Sequence, residues 1–442
     1  MKPIVRFKSI NIKNIKNVKE GKIVFPDYNP EAEIRNNILG IYGQNGSGKT
    51  TIVNGFRIIQ LLFAGVSIAP ALYLCTVNTL TSAIDVELTI HGDNYQLLVG
   101  YTVKFSKLGK IEETLTYTDV LTNKKSKVYY SEETVQKEQV FNPLNRNVDF
   151  GVNRNTIVSY LVNIQKSRNE FQSFFFNDES KSLLNDNLKD ENFKEIINII
   201  PEYAKTKFLI IDHARSVMSA VGLEHPISLL INDNEGNRVY TENIFSGYKN
   251  QSNSNTLQSL KNGITSVNQV VSQLIPNFQL QIKNEKRIPN PLEEIYEFDF
   301  LASRDGMEFP YSFESDGVKS LVSYIACLIH MYNQEDVIVI IDEFDSSIFE
   351  YLLGELLQVV KQGSKGQFVF TSHNLRALEV LDTKDVWFTT TNPDNRYIQF
   401  TNIKNNHNLR DVYYRTIQLG GQKEEVYKAC DQAEIRRAFS KV

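Results

Sequence analysis

The chain has 442 residues, 41% of them hydrophobic and 23% charged, and a net charge of −4. That length suggests two or three domains with ample core, and the composition is that of a globular chain without the overall basic excess that drives proteins onto nucleic acid. Its three cysteines, Cys75, Cys327 and Cys430, lie far apart without C-x-x-C spacing, which argues against a zinc site and for a reducing, cytoplasmic setting.

The start, Met1-Lys2-Pro3-Ile4-Val5-Arg6, lacks the apolar core of a signal peptide. Ile4 to Asn14 alternate apolar and polar residues, as a half-exposed strand does, and residues 21–26 form a second expected strand. The apolar run Ile38-Leu39-Gly40-Ile41-Tyr42 predicts a buried strand. It leads into Gly43-Gln44-Asn45-Gly46-Ser47-Gly48-Lys49-Thr50, a match to G-x-x-x-x-G-K-[ST]. Thr51 to Phe63 follows as an amphipathic helix, so the motif has the strand–loop–helix context it requires.

In that context the glycines let successive backbone N–H groups face one anion, and the helix N-terminus adds partial positive charge. Lys49 can reach the β- and γ-phosphates of ATP, and the Thr50 hydroxyl can ligate Mg2+. The expected nucleotide-binding set is Gly43, Asn45, Gly46, Ser47, Gly48, Lys49, Thr50 and Thr51.

From Ile58 to Ile84 no residue is charged, a length that could span a membrane. Gly65 and Pro70 interrupt it, and its first part continues the helix after the glycine loop, so no membrane association is expected. Ile84 to Ile90, Tyr95 to Phe105 and Glu113 to Leu121 alternate strictly between turn signals, which predicts an antiparallel meander. The first domain is set at residues 1–150. Residues 151–277 form a mostly helical insertion, with helical spacing at Asn155–Phe176 and Lys181–Ile200 and strand-like runs at Lys207–Ile211 and Ile227–Ile231. Lys249 to Asn255, rich in Ser and Asn, predicts an exposed loop. Residues 278–442 form the last domain, beginning with strands either side of Pro289-Asn290-Pro291 and continuing as alternating strand and helix.

Three motifs in that last part complete a site. Glu314-Ser315-Asp316-Gly317-Val318-Lys319-Ser320 opens a helix. Ser315 or Asp316 is an ordinary N-cap there, or the serine and Gly317 form a second anion-binding helix tip. Val337-Ile338-Val339-Ile340-Ile341-Asp342-Glu343 is a buried parallel strand ending in two carboxylates, where open α/β sheets place ligands. Asp342 is placed to hold Mg2+, and Glu343 to orient or deprotonate the attacking water. Phe368-Val369-Phe370-Thr371-Ser372-His373-Asn374 is another such strand, expected beside the Asp342 strand, whose His373 could contact a γ-phosphate. Phe208 to Asp212 is also an apolar run ending in an acid, but His213 follows it and it precedes the Ser315 motif; it reads as a structural strand, with Asp212-His213 a minor nuclease candidate.

The order and form of these stretches resemble the ABC-type ATPases of the SMC and RecF group. The resemblance implies a P-loop ATPase head of the α/β class: a mixed sheet with flanking helices, an antiparallel β meander and a helical insertion. It makes Gly43–Thr50 Walker A, Ser315–Lys319 the signature, Val337–Glu343 Walker B, Asp345-Ser346-Ser347 the D-loop and His373 the switch histidine. Ile12-Lys13-Asn14-Ile15-Lys16 is similar to the opening strand, whose Asn14 approaches the nucleotide. It also implies two heads dimerising head-to-tail, with Ser315 and Gly317 of one head touching the ATP held by the other.

Within the group, Glu314 to Gly317, Asp342 to Ser347, Phe370 to Asn374, Asp385-Val386-Trp387-Phe388 and the tail from Asn408 to Gly421 look like the stand-alone ATPases of abortive-infection and anti-phage operons, the PARIS AriA-like ATPases among them. That likeness implies a homodimer or higher homo-oligomer controlling a separate toxin or nuclease. A RecF-like repair ATPase binding duplex DNA is the alternative, with Lys104, Lys107, Lys110, Lys124, Lys125 and Lys127 as candidate contacts. The signature departs from L-S-G-G-Q, Phe344 stands where transporter ATPases carry proline, and no Q-loop glutamine is found, which speaks against a transporter subunit.

Overall fold

The alternation of the first strand becomes β1 (Ile4–Ile15), which pairs antiparallel with β2 (Val18–Val24). The computed structural model describes residues 2–29, 31, 37–75, 81–106, 111–122, 124–130, 154–187, 190–211, 225–233, 236–244, 250–291, 293–346, 348–401, 403 and 408–440. Lys107, Lys110, Asp212, His213 and Ser347 lie outside these residues, as do the side chains of Lys124, Lys125 and Lys127.

β3 (Asn37–Tyr42) is buried along its whole length, and α1 (Lys49–Phe63) follows the glycine loop. β4 (Ser82–His91), β5 (Gln96–Phe105), β6 (Ile111–Asp119) and β7 (Lys124–Tyr130) form the meander. With β1 and β2 they make a six-stranded antiparallel sheet of order β2-β1-β4-β5-β6-β7. Strict alternation puts Ile84, Val86, Leu88 and Ile90 on its buried face.

The chain then runs through α2 (Arg154–Asn169), α3 (Asp178–Asn187), α4 (Glu191–Thr206), β8 (Phe208–Ile211), β9 (His225–Asp233), β10 (Gly236–Ile244), β11 (Asn250–Asn253) and α5 (Ser254–Leu274). β12 (Phe278–Ile288), β13 (Ile295–Arg304), β14 (Met307–Pro310), α6 (Asp316–Asn333), β15 (Ile338–Ile341), α7 (Glu350–Gly363) and β16 (Gln367–Ser372) follow. β17 (Val386–Thr389), β18 (Tyr397–Ile398), α8 (Leu409–Leu419) and α9 (Gln432–Phe439) close the order.

The central sheet has the order β18-β17-β3-β16-β15-β8. β17, β3, β16, β15 and β8 are all parallel, so the carboxyl ends of five strands share one edge. One face, with Leu39, Ile41, Ile340 and Val369, packs on Ile52, Phe56 and Ile59 of α1 and on the antiparallel sheet. The other face, with Ile38, Val339, Ile341 and Phe370, packs on α6 and α7. Burial on both faces is why β3 and β15 are unbroken apolar runs. The two sheets are tied at the opposite edge by Gln367, whose side chain accepts from Phe7 N and donates to Phe7 O, both at 2.8 Å.

Residues 151–277 are divided between both cores. Phe174, Phe175, Phe176, Phe193 and Ile196 join the core around α1, while β8 extends the central sheet beside β15. α5 packs Leu257, Leu260 and Ile264 with Phe278 and Leu280 of β12. The loop expected at Lys249–Asn255 is corrected: Asn250–Asn253 is β11, paired antiparallel with β13 from Phe298 to Ile295. Strand pairing uses backbone groups, which Ser and Asn supply as well as Val does, and the partner strand lies beyond α5. In the uncharged stretch α1 stops at Phe63 and Gly65 turns left-handed at φ 73°. No helix among the described residues is long and apolar enough to cross a membrane.

Candidate functional site

The glycine loop lies at the carboxyl end of β3, with Gly46 at φ 73° and Gly48 at φ 103°. A Cβ at Gly43 would stand 1.6 Å from Thr389 Oγ1, and one at Gly48 2.9 Å from Val18 Cγ2, so neither position accepts a side chain. Gly48 caps α1 without a side-chain hydrogen bond, and no acid occupies the first turn. The first N–H groups of the helix are thereby left for an anion.

Hydroxyls and an amide from other segments brace the loop. Thr389 Oγ1 donates to Ser47 Oγ at 2.6 Å, Ser47 Oγ donates to Gln44 O at 2.7 Å, and Tyr397 OH donates to Gly48 O at 2.7 Å. Thr51, buried, donates its hydroxyl to Asn17 Oδ1 at 3.1 Å, and Asn17 Nδ2 donates to Gly46 O. Asn17 therefore meets the loop, whereas Asn14, left-handed at φ 56°, donates to Thr81 O at 3.0 Å. Asn45 is exposed and Thr50 half-buried in the first turn of α1. Lys49 is 6% exposed and donates to Gly43 O at 2.9 Å and Gln44 O at 3.1 Å. Burial brings its pKa down to about 8, against the carboxylates of Asp342, Glu343 and Asp345, which raise it.

β16 lies between the loop strand β3 and β15, so Asp342, Glu343 and His373 stand at neighbouring strand ends. Asp342 is 2% exposed, and its Oδ1 accepts from Thr371 Oγ1 at 2.5 Å. Its Oδ2 is buried without a hydrogen-bond partner. An orphaned carboxylate oxygen suits a hard divalent cation, which takes oxygen ligands. Glu343 is left-handed at φ 54°, and its N–H donates to Thr371 Oγ1 at 2.7 Å. Asp345 Oδ2 accepts from the N–H groups of His373 at 3.1 Å and Asn374 at 2.9 Å. Burial, then the charge of Lys49, hold His373 below the ordinary histidine pKa despite the three nearby acids, so it is neutral at pH 7.

At the third motif Ser315 is the N-cap of α6, its Oγ accepting from Val318 N at 3.3 Å. Its own N–H donates to Glu314 Oε2 at 3.1 Å, and the buried Glu314 pairs with Arg304 at 3.1 Å. Ser315 and Asp316 are exposed and Gly317 is half-buried, so the tip of α6 reaches the surface. α6 leads directly to the amino end of β15, which puts its own N-terminus toward the carboxyl edge of the sheet. Capping and anion binding are compatible there, because the serine hydroxyl accepts from Val318 with a lone pair and keeps its proton to donate. Of the lysines considered for DNA, Lys104 is exposed on β5.

Asn17, Thr371, Thr389 and Tyr397 were not expected at the site. Thr371 had a local signal, two residues before His373; Asn17, in the turn between β1 and β2, and Thr389 and Tyr397, on β17 and β18, had none.

A family model described as "AAA domain, putative AbiEii toxin, Type IV TA system" matches residues 38–379. No curated protein matches the chain by sequence. Among solved structures, the chain is similar to the Smc head domain from Pyrococcus furiosus bound to the C-terminal domain of ScpA, at 11% identity and TM-score 0.43, covering 90% of this chain and 96% of that one. For the SMC head domain from Thermotoga maritima the values are 13%, 0.38, 89% and 99%. For the recombination mediator RecF-ATPrS of the RecFOR pathway they are 11%, 0.37, 84% and 94%.

Proposed function

The chain belongs to the AAA-domain family matched over residues 38–379, and from that premise we propose that it is a Mg2+-dependent ATPase whose copies close head-to-tail on ATP. In this reading the closure is a switch in bacterial anti-phage defence, of the PARIS AriA-like kind, acting in the cytoplasm on a separate toxin or nuclease. The observation that carries the ATPase reading is the buried, unpartnered Asp342 Oδ2 two strands from a glycine loop and an uncapped helix N-terminus. The defence role draws support from the family's description, "putative AbiEii toxin, Type IV TA system".

Backbone N–H groups from Gly43 to Thr51 and the Lys49 ammonium hold the triphosphate. Thr50 and Asp342 hold Mg2+, which when bound offsets phosphate charge. Glu343 takes the proton of the attacking water. His373 can donate one ring N–H to the terminal phosphate. Ser315 and Gly317 of a second copy cover that phosphate, so the lobes 1–150 and 278–442 both contribute to each site, with 151–277 between them. Nucleotide state then controls the assembly, because ATP satisfies a polar interface that is otherwise unpaired.

Purified Glu343→Gln is expected to bind ATP and accumulate as a dimer while turnover falls about 10²- to 10⁴-fold. Lys49→Ala is expected to lose nucleotide binding. ATPase rates at the parental level in both variants would refute the assignment.

A further inference from the structure

We propose that Thr371 is a positioning residue for hydrolysis: its hydroxyl holds the Asp342 carboxylate and the Glu343 backbone N–H at the end of β15, aiming Asp342 Oδ2 at the metal and fixing the backbone from which Glu343 reaches the water. The inference rests on the proposed ATPase function and assigns a role to a residue of the Phe368–Asn374 motif that was not among the expected site residues.

A threonine hydroxyl has one proton and two lone pairs. Here the proton goes to Asp342 Oδ1 at 2.5 Å, and a lone pair receives Glu343 N–H at 2.7 Å. The carbonyl of the same residue accepts from Phe344 N at 3.0 Å. One residue of β16 thus holds three successive residues of the neighbouring strand end. Thr371 is fully buried, with 0% exposure, so its rotamer is set by packing.

The two bonds do different things. The carboxylate torsion of an aspartate is broad and two-fold, so an unrestrained Asp342 could offer either oxygen in many directions. Engaging Oδ1 leaves Oδ2 as the oxygen without a partner. Glu343 is a non-glycine residue at φ 54°, a conformation that is uncommon and costs energy, and its N–H is held there by the Thr371 oxygen. In the reverse direction, Asp345 Oδ2 takes the N–H groups of His373 and Asn374. The strand ends bearing the two carboxylates and the histidine are therefore laced together from both sides, and Thr371 is the lace that touches the Asp342 carboxylate and the Glu343 N–H.

The test compares wild type, Thr371→Val and Thr371→Ser. Valine keeps the shape and removes both hydrogen bonds; serine restores the hydroxyl. Three quantities are read: kcat and KM for ATP, the Mg2+ concentration that half-saturates hydrolysis, and the gain in affinity for a fluorescent ATP analogue when Mg2+ replaces EDTA. Thr371→Val is expected to lower kcat and weaken the Mg2+ dependence by about 10- to 100-fold, as loss of a residue supporting a metal ligand does, with KM rising only as far as the Mg2+-dependent part of nucleotide binding is lost. The Mg2+-dependent gain in analogue binding should shrink in parallel, and Thr371→Ser should recover most of each. Wild-type kcat and Mg2+ dependence in Thr371→Val would overturn the inference alone. So would a Thr371→Ser variant as defective as valine, since that would trace the effect to packing. If the valine variant does not fold, the serine variant and the folded Thr371→Cys variant carry the comparison, cysteine being a weak donor expected to fall between serine and valine. A wild-type chain that neither binds nor hydrolyses ATP would overturn the proposed function, and the inference with it.

Discussion

Raising the pH from 7 to 9 is expected to weaken nucleotide binding about tenfold, because the P-loop lysine loses its proton in that window. Burial brings the Lys49 pKa down to about 8, and Asp342, Glu343 and Asp345 only partly restore it. With a pKa of about 8, roughly nine in ten Lys49 side chains are charged at pH 7 and roughly one in ten at pH 9. A triphosphate that binds the ammonium therefore loses about tenfold, or about 1.4 kcal/mol. The sign follows from linkage. The bound anion raises the pKa of Lys49, so above pH 8 the complex holds a proton that the free chain has released, and binding takes one up. In the free chain burial and Lys49 hold His373 below its ordinary value, under this window. The last ionisation of a phosphate, near pH 6, is also below the window.

Calorimetric titration with Mg2+ and ATP at pH 7, 8 and 9, in two buffers of different ionisation enthalpy, measures affinity and proton uptake together. Lys49→Arg keeps its charge throughout and should bind more weakly but without the trend. Affinity that stays flat in the wild type, or that declines equally in Lys49→Arg, would refute the reasoning.

Two further outcomes are expected. Lys49→Ala and Ser315→Arg should each be inactive alone, yet an equimolar mixture that exchanges subunits should regain about a quarter of wild-type ATPase activity, since half the dimers then contain one intact composite site of two. A mixture that stays inactive despite exchange counts against head-to-tail closure. Gly43→Ala forces a methyl group to within 1.6 Å of Thr389 Oγ1 and must displace the loop or β17. It should cost about 1–3 kcal/mol of stability by overpacking and weaken nucleotide binding, both readable by thermal unfolding with and without ATP.

Much of the fold was legible because its signals are local. A continuous apolar run with carboxylates after it could be little else than a strand buried on both faces, and Ile338–Ile341 is one. Helical spacing after Ser315 and strict alternation from Ile84 to Ile90 likewise depend on neighbours a few residues away. Even the place of His373 beside the Asp342 strand follows from a βαβ connection that keeps consecutive parallel strands adjacent, as β15 and β16 are. Where the signal was compositional it failed: Asn250–Asn253 has the makeup of a loop and is a strand, because its pairing with β13 is a property of the backbone.

By itself, then, the order of residues determined most of the stretches that fold as strands and helices, that a glycine loop ends one strand, and that two acids and a histidine end others. Only the tertiary structure decided which groups support them. Asn17 reaches the loop while Asn14 bonds Thr81 O; Thr389 and Tyr397 brace it; and Thr371 holds the Asp342 carboxylate and the Glu343 N–H. The physical reason is that a hydrogen bond is set by direction and distance between groups that chain order can separate by hundreds of residues, and neither periodicity nor spacing carries that information.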